Sequence, residues 1–558
     1  MHTVRDLHAR VPVRCGHCTI GEEKATMPTI RIDNREVRVP AGSTILEAAR
    51  RLGIEIPTLC HMDGFGIFTS CMVCLVEESV SKRLLPSCSA PVVHGMVIET
   101  NNETVREARR DMLELFLREH VGDCESPCMR ACPVHLDIPV ILRRIREGSE
   151  RKVYDAIGKG APLISVLAHI CPAPCEKACR RRIHDEAVSI RLAMRTAVLH
   201  DLELLSAHGS DIPHPSGSNV AIVGAGPAGL SASWYLSQYG HACTVFDNRA
   251  EPGGSLRYEL SEERLPRRIL DEEIDRIRDL GVSFSMNREF GRDIYMEGLR
   301  RRFDAVIVTS GKVGPDAKKT FGLQMTEQGL QINRKTFETS LKGVFAGGNV
   351  IRPCRIAARA VADGRAIADS IHRYLDKNGA AVPQEKIDCR MGTLHEGELE
   401  EFLKGVSGSS RIHPSEGEVS GFSIDEAARE AERCLRCDCS GKDSCLLRQY
   451  AGEYGATGRR YGTIERVRYE RIVDHPHIVF EPSKCIKCGQ CVRLSESEDE
   501  PYGLAFNGRS FNLHIVVPFR EPLSRGLEKS AIQCARACPT GALTEKRENT
   551  KIRNRNAP

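Results

Sequence analysis

The placement of cysteines is what most limits the folds open to this chain. Twenty-four occur in 558 residues, and most stand in short, regularly spaced runs. Cys60, Cys71, Cys74 and Cys88 read C-x10-C-x2-C-x13-C. Cys124, Cys128 and Cys132 read C-x3-C-x3-C-P, and Cys171, Cys175 and Cys179 repeat that spacing. Cys434, Cys437, Cys439 and Cys445 fall within twelve residues, and Cys485, Cys488 and Cys491 are followed at a distance by Cys538-Pro539. Core packing does not require such spacing, whereas thiolate ligation does. The net charge of +4 is small and its signs are interspersed, so nothing points to nucleic acid. No apolar stretch reaches membrane-spanning length, and no signal-peptide core stands at the start. Many cysteines in such a chain indicate metal ligands rather than disulfides, and a cytoplasmic setting.

A second feature lies between the runs. Val220-Ala221-Ile222-Val223 reads as a buried strand, Gly224-Ala225-Gly226-Pro227-Ala228-Gly229 as a glycine-rich turn, and Leu230 to Tyr239 as a helix. Gly224 permits the turn, Gly226 lets a pyrophosphate approach the backbone, and Gly229 lets helix and strand pack closely. The phosphate charge then faces the helix N-terminus. Thr244-Val245-Phe246 leads to Asp247, at the distance expected of an acid that bonds a ribose hydroxyl. Pro252-Gly253-Gly254, a strand from Ala305, and Gly343 to Asn349 before a helix complete the pattern. About thirty residues join Lys312 to Gly343, too few for a second dinucleotide fold.

These motifs carry several resemblances. Residues 216–375 resemble the FAD domain of the glutamate-synthase small-subunit family, which implies FAD contacts at Gly224, Gly226, Gly229, Asp247, Gly254, Arg257, Gly348 and Asn349. Asn349 stands where that family has Asp, and Glu259 where Gly is usual. The family's inserted NAD(P)H domain is missing. Cys60, Cys71, Cys74 and Cys88 suit a [2Fe-2S] cluster and resemble the ferredoxin domain of the large iron–sulfur subunit of complex I, which implies a β-grasp fold. A hairpin over Ile30–Val39, and a helix opened by the capping box Thr44-x-x-Glu47, fit that domain.

Residues 103–119 read as an amphipathic helix with Val105, Ala108, Met112, Leu115 and Phe116 on one face. The two C-x3-C-x3-C runs that follow resemble the helical domain of the same small subunit and of dihydropyrimidine dehydrogenase, which holds two [4Fe-4S] clusters. Carried over, Cys124, Cys128 and Cys179 serve one cluster, with His120 in place of a missing cysteine. Cys132, Cys171 and Cys175 serve the other, and Met194 stands where its fourth ligand is usual. Cys434, Cys437, Cys439 and Cys445 suit a [4Fe-4S] cluster or zinc, with iron–sulfur favoured by the company they keep. Cys485, Cys488, Cys491 and Cys538 resemble half of a two-cluster ferredoxin. Ser495, Glu528 and Ala531 occupy ligand positions of the other half, leaving Cys534 without a role. Cys243, Cys354 and Cys389 read as buried small residues, and Cys15-x2-Cys18 as part of a tail.

The expected chain is multi-domain, α/β and α+β. It comprises an extension (1–26), a [2Fe-2S] ferredoxin domain (27–102), a helical double-cluster domain (103–215), a Rossmann-like FAD domain (216–375), a linker with little core (376–425), a cysteine-rich segment (426–460) and a ferredoxin-like domain (461–558). The expected cofactors are FAD, one [2Fe-2S] and about four [4Fe-4S] clusters, with no residue assigned as catalytic acid or base. The reading is an oxidoreductase: an electron-transfer subunit placed between an NAD(P)-linked flavin subunit and a hydrogenase or formate dehydrogenase subunit, with electron bifurcation among the options. The alternative is a self-sufficient NAD(P)H-dependent flavoenzyme.

Overall fold

Thr44 begins the first helix. Its hydroxyl accepts from the Glu47 amide at 3.2 Å while the Glu47 carboxylate accepts from the Thr44 amide at 2.8 Å, closing the capping box. The helix, Ile45–Arg51, buries Ile45, Leu46, Ala48 and Ala49. They pack on a mixed five-stranded sheet of β1 (Thr29–Ile32), β2 (Arg35–Arg38), β3 (Leu75–Glu78), β4 (Arg83–Pro86) and β5 (Val97–Glu99), in the order β2-β1-β5-β3-β4. This computed structural model describes residues 27–148, 161–205, 214–314, 317–353, 356–376, 387–415, 417, 421–462 and 466–546. Cys15, Cys18 and Cys354 lie outside them.

The helix Glu103–Glu119 forms as expected, but its buried face is rotated. Val105, Arg109, Leu113 and Leu117 are buried, and Leu115 is 42% exposed. Arg109 can lie inward because its guanidinium donates to the Leu75 carbonyl (3.0 and 2.7 Å) and the Tyr454 hydroxyl (2.8 Å). Short helices follow at Pro127–Ala131, Ile138–Arg146, Ile164–Ile170 and Pro174–Lys177, then a long one, Ile190–Leu205.

The central unit is a parallel sheet of β6 (Asn219–Val223), β7 (Ala242–Phe246), β8 (Ser283–Ser285) and β9 (Ala305–Val308). A small antiparallel pair, β10 (Met325–Thr326) and β11 (Gly329–Leu330), precedes the fifth strand, β12 (Val344–Ala346). The order β12-β9-β6-β7-β8 is that of a Rossmann-like unit. Between β9 and β12 the described residues hold only the helix Ala317–Phe321 and that pair.

The segment read as a linker has a core of its own. The helix Glu398–Leu403 buries Phe402, which stacks on Tyr469 at 4.7 Å and packs with Met391 and Leu435. Its polar composition hid this, because the buried Glu398 is neutralised by Arg466 at 2.7 Å. The helix Ile424–Ala431 opens with a second capping box, Ser423 and Glu426. The C-terminal unit pairs β13 (Ile478–Phe480) with β16 (Leu543–Glu545), and β14 (Ala505–Asn507) with β15 (His514–Val516). Gln490 donates to the Leu59 carbonyl (3.1 Å) and Arg493 to the Cys60 carbonyl (2.7 Å), which docks this unit on the first cysteine loop.

Candidate metal centres and dinucleotide site

The cysteine loops share a backbone device. Met72, Ala173, Arg436 and Lys487, each inside a cysteine run, adopt φ of 53°, 49°, 51° and 58°. For a non-glycine residue this left-handed conformation costs about 1–2 kcal/mol. It also turns successive amides inward. The Lys487 amide donates to Cys485 Sγ at 3.3 Å, and the amides of Ala173 and Arg436 bond Cys171 and Cys434 in the same way. Strain recurring at four of the cysteine loops, with N–H groups aimed at sulfur, is what thiolate ligation calls for.

Five groups of thiols result. Cys60, Cys71, Cys74 and Cys88 are buried and mutually hydrogen-bonded; these bonds hold Cys60 far below the usual thiol range and Cys74 down to about 7. Cys485, Cys488, Cys491 and Cys538 line one pocket. Cys534 does not: it is buried on the helix Ala531–Ala537, and its thiol turns to the Cys491 carbonyl and the Ser530 hydroxyl. Ser495 is also committed, accepting from the Leu504 amide at 2.9 Å.

The helical runs group differently from the carried-over pattern. Cys128 and Cys179 line one pocket together with Cys434 and Cys437. Burial pushes Cys434 up to about 11. Cys124 faces Cys389 instead, and that contact lowers its thiol to about 7. Cys439 and Cys445 lie beside this pair, close enough for their charges to interact. The run Cys434–Cys445 is therefore divided between two groups, and Cys389 is no isolated packing residue. Only its presence as an extra cysteine in such a chain could have signalled this. Cys132, Cys171 and Cys175 form the fifth group.

His120 is not the fourth member of the Cys128 group, where Cys434 and Cys437 stand instead. It is half-buried beside Lys484 and Glu481, its buried Nδ1 has no hydrogen-bond partner among the described residues, and desolvation lowers it to about 4. Asp123 ties the loop before Cys124 to the segment after Cys179, bonding Arg130 at 2.8 Å and Arg180 at 2.6 Å. Among the described residues no three His, Cys, Asp or Glu side chains converge closely enough for a single metal ion. Four thiolates on one zinc ion would stand within about 4 Å of one another. The run Cys434–Cys445 is split between two groups, Cys434 and Cys437 with Cys128 and Cys179, and Cys439 and Cys445 beside Cys124, an arrangement that four ligands of one zinc ion would not take.

The glycine turn fits a dinucleotide. Gly224 has φ 112°, and a side chain there would run into Thr309. A methyl on Gly229 would overlap the Gly224 carbonyl, so the helix Pro227–Gln238 sits as close as the backbone allows. At Gly226 an added methyl would meet nothing nearer than Gly254 Cα at 4.0 Å, which leaves the space a phosphate needs. Asp247 closes the turn, accepting from the Ala225 amide (2.7 Å) and the Arg249 amide (2.9 Å). Gly348 lies against Ala228, its amide donating to the buried Asp363 at 3.1 Å, and Asn349 follows it in a short 3-10 turn. Arg257 is held by the Pro252 carbonyl, Glu251 and Asp271.

Comparison with known proteins agrees with this layout. Residues 25–103 match the 2Fe-2S iron–sulfur cluster binding domain, residues 98–202 the 4Fe-4S cluster domain II of dihydropyrimidine dehydrogenase, and residues 222–271 the NAD(P)-binding Rossmann-like domain. The chain is 30% identical over 301 residues to the NADPH-Fe(3+) oxidoreductase subunit beta of Geobacter sulfurreducens, covering 50% of this chain and 44% of that one. It is 31% identical over 313 residues to the NADP(+)-dependent formate dehydrogenase subunit beta of Moorella thermoacetica, covering 50% and 43%. It is 34% identical over 222 residues to the glutamate synthase [NADPH] small chain of Mycobacterium tuberculosis, covering 38% and 42%. The chain thus spans less than half the length of these curated relatives. No helix among the described residues is long and apolar enough to cross a membrane. The chain thus matches, in order, a 2Fe-2S binding domain, the 4Fe-4S domain II of dihydropyrimidine dehydrogenase and a Rossmann-like dinucleotide domain, and it is similar over half its length to the beta subunits of an NADPH-Fe(3+) oxidoreductase and an NADP(+)-dependent formate dehydrogenase.

Proposed function

We propose that this chain is a cytoplasmic electron-transfer subunit of a multi-subunit oxidoreductase, carrying FAD, one [2Fe-2S] cluster and about four [4Fe-4S] clusters. It connects an NAD(P)-linked flavin subunit with a catalytic subunit of hydrogenase or formate dehydrogenase type. The observation that carries this reading is the file of thiol groups. Cys60 is close enough to Cys488 for their charges to interact, and Cys538 stands in the same relation to Cys445. Cys124, in the loop before the helix Pro127–Ala131, Cys128 on that helix and Cys132 at its C-cap then follow along the chain. Beyond the last group, the helix Ile164–Ile170 meets the dinucleotide domain, where the Ser165 amide donates to Glu273 at 2.7 Å.

When bound, the clusters supply one-electron sites and FAD supplies exchange between one- and two-electron chemistry. The chain's own residues place them. Gly224, Gly226 and Gly229 would receive the pyrophosphate, Asp247 the ribose, and Gly254, Arg257, Gly348 and Asn349 the remainder of FAD. The buried and half-buried thiols would hold each cluster. The short interval between β9 and β12 supports the view that nicotinamide is handled by a partner, since dinucleotide binding energy normally positions the nicotinamide for transfer.

The test is an anaerobic stopped-flow mix of the purified chain with excess NADH or NADPH. Dithionite should bleach flavin and clusters readily, while neither nucleotide should do so quickly unless an NAD(P)-linked flavin subunit is added. Fast bleaching by either nucleotide alone would overturn the relay reading in favour of a self-sufficient flavoenzyme.

A further inference from the structure

The segment Ile387–Cys389 carries no spacing motif, yet it is built into a thiol group with great care. The Cys124 amide donates to the Cys389 carbonyl at 3.1 Å, and the Cys439 amide donates to the Cys124 carbonyl at 3.2 Å. These bonds lock three remote pieces of chain around one point. Arg448 braces the same point: its guanidinium donates to the Ile387 carbonyl (2.7 Å), the Lys442 carbonyl (3.3 Å) and Glu125 (2.7 Å), while its amide donates to Cys445 Sγ (3.4 Å). Asp388 accepts from the Glu125 amide at 3.3 Å and pairs with Arg130 and Arg390. Gly541 completes the enclosure, because any side chain there would collide with Cys439 Sγ.

We propose that Cys124, Cys389, Cys439 and Cys445 together ligate a [4Fe-4S] cluster, so that the run Cys434–Cys445 serves two clusters and not one. The other half of the run, Cys434 and Cys437, joins Cys128 and Cys179 around the second pocket. Cys124 is thereby released from the ligand set that its spacing suggests, and no histidine ligand is needed in either group. Ligation removes the proton from each of the four thiols. Such a cluster would supply a one-electron site there, taking an electron from a reduced neighbour and passing it to an oxidised one with no bond made or broken. Its place is between the groups of Cys538 and Cys128, where it bridges the C-terminal unit to the helical domain. Without it, the file of thiol groups has a gap at its centre.

The inference rests on the iron–sulfur reading of the chain but not on any partner or nucleotide. Its test is iron and sulfide content of the full chain, prepared anaerobically, with electron paramagnetic resonance of the dithionite-reduced protein. Cys389→Ala should lose about four irons per chain and one resonance signal. The double variant Cys124→Ala/Cys389→Ala should lose the same four, whereas Cys124→Ala/Cys128→Ala should lose about eight. Cys243→Ala, outside every group, should lose none. Should Cys389→Ala be insoluble, Cys389→Ser keeps the size of the side chain and should still alter one signal. Full iron and an unchanged spectrum in the Cys389 variants would overturn the site, as would one equivalent of zinc bound by the intact protein. An intact protein lacking iron altogether would instead overturn the iron–sulfur reading itself.

Discussion

Gly226 and Gly229 lie three residues apart in one turn, and the structure assigns them opposite kinds of failure. Gly226 caps the helix Pro227–Gln238 with φ −82°, a conformation any residue adopts, and an added methyl would find its nearest neighbour at 4.0 Å. Gly226→Ala should therefore fold, at a cost of about 1 kcal/mol or less for the altered N-cap. The methyl would, however, occupy the space reserved for a phosphate. Losing one or two backbone hydrogen bonds to a charged group costs about 1.5–3 kcal/mol each, which weakens flavin binding at least about tenfold. Gly229→Ala has no such room. Its methyl would meet the Gly224 carbonyl and, at 2.8 Å, the Thr309 hydroxyl, and neither can retreat without moving a strand. Overpacking of this kind costs about 1–3 kcal/mol or more. The assay is flavin stoichiometry after gel filtration, read beside anaerobic thermal unfolding by circular dichroism. Gly226→Ala should lose flavin while melting close to the unaltered chain, and Gly229→Ala should lose both flavin and thermal stability. A Gly226→Ala protein that retains full flavin would show that no phosphate lies at this turn.

Three other outcomes are expected. Cys538→Ser should remove one [4Fe-4S] signal by electron paramagnetic resonance while Cys534→Ser removes none, because only Cys538 lines the pocket with Cys485, Cys488 and Cys491; loss of a signal in the Cys534 variant would reverse that assignment. Lys484 is buried with its ammonium 2.7 Å from Glu481, so Lys484→Met should cost about 3–5 kcal/mol by stranding the carboxylate, seen as an earlier melting transition, and adding Glu481→Gln should recover much of it. Asp185 is held at about 2, chiefly by its bond to Arg181 and then by Arg433; a depressed carboxylate contributes stability above its unfolded pKa, so that contribution should fade as pH drops from about 5 towards 2, and Asp185→Asn should flatten acid denaturation over that range.

What the sequence made legible was local. The capping box at Thr44, the glycine turn at Gly224 and the spacing of Cys60 to Cys88 each specify a structure within a short stretch of chain, and all three appear where expected. What it concealed was the pairing of remote segments. Spacing within Cys434–Cys445 suggests a single group, but Cys434 and Cys437 line a pocket with Cys128 and Cys179, while the Cys439 amide bonds the Cys124 carbonyl and draws the other half to a different neighbour. Cys389 has no local pattern at all, and its role emerges only from the hydrogen bonds that carry it to Cys124 and Cys439. Arg109 misled for a related reason: a charged residue on the buried face is legible only once its partners, Leu75 and Tyr454, are in place.

The division of the Cys434–Cys445 run also sets an order of assembly. The group of Cys60 to Cys88 lies within one domain and can be filled as soon as that domain leaves the ribosome. The groups containing Cys124 and Cys128 cannot, because each waits for thiols encoded far towards the other end of the gene. On the proposed ligation, the cysteines of the helical domain would wait unliganded while the dinucleotide domain, which lies between them and Cys434 in the chain, is made. On that ligation, clusters at those two positions would be delivered late, and a chain interrupted before Cys434 would hold its first cluster while leaving the middle of the file unfinished.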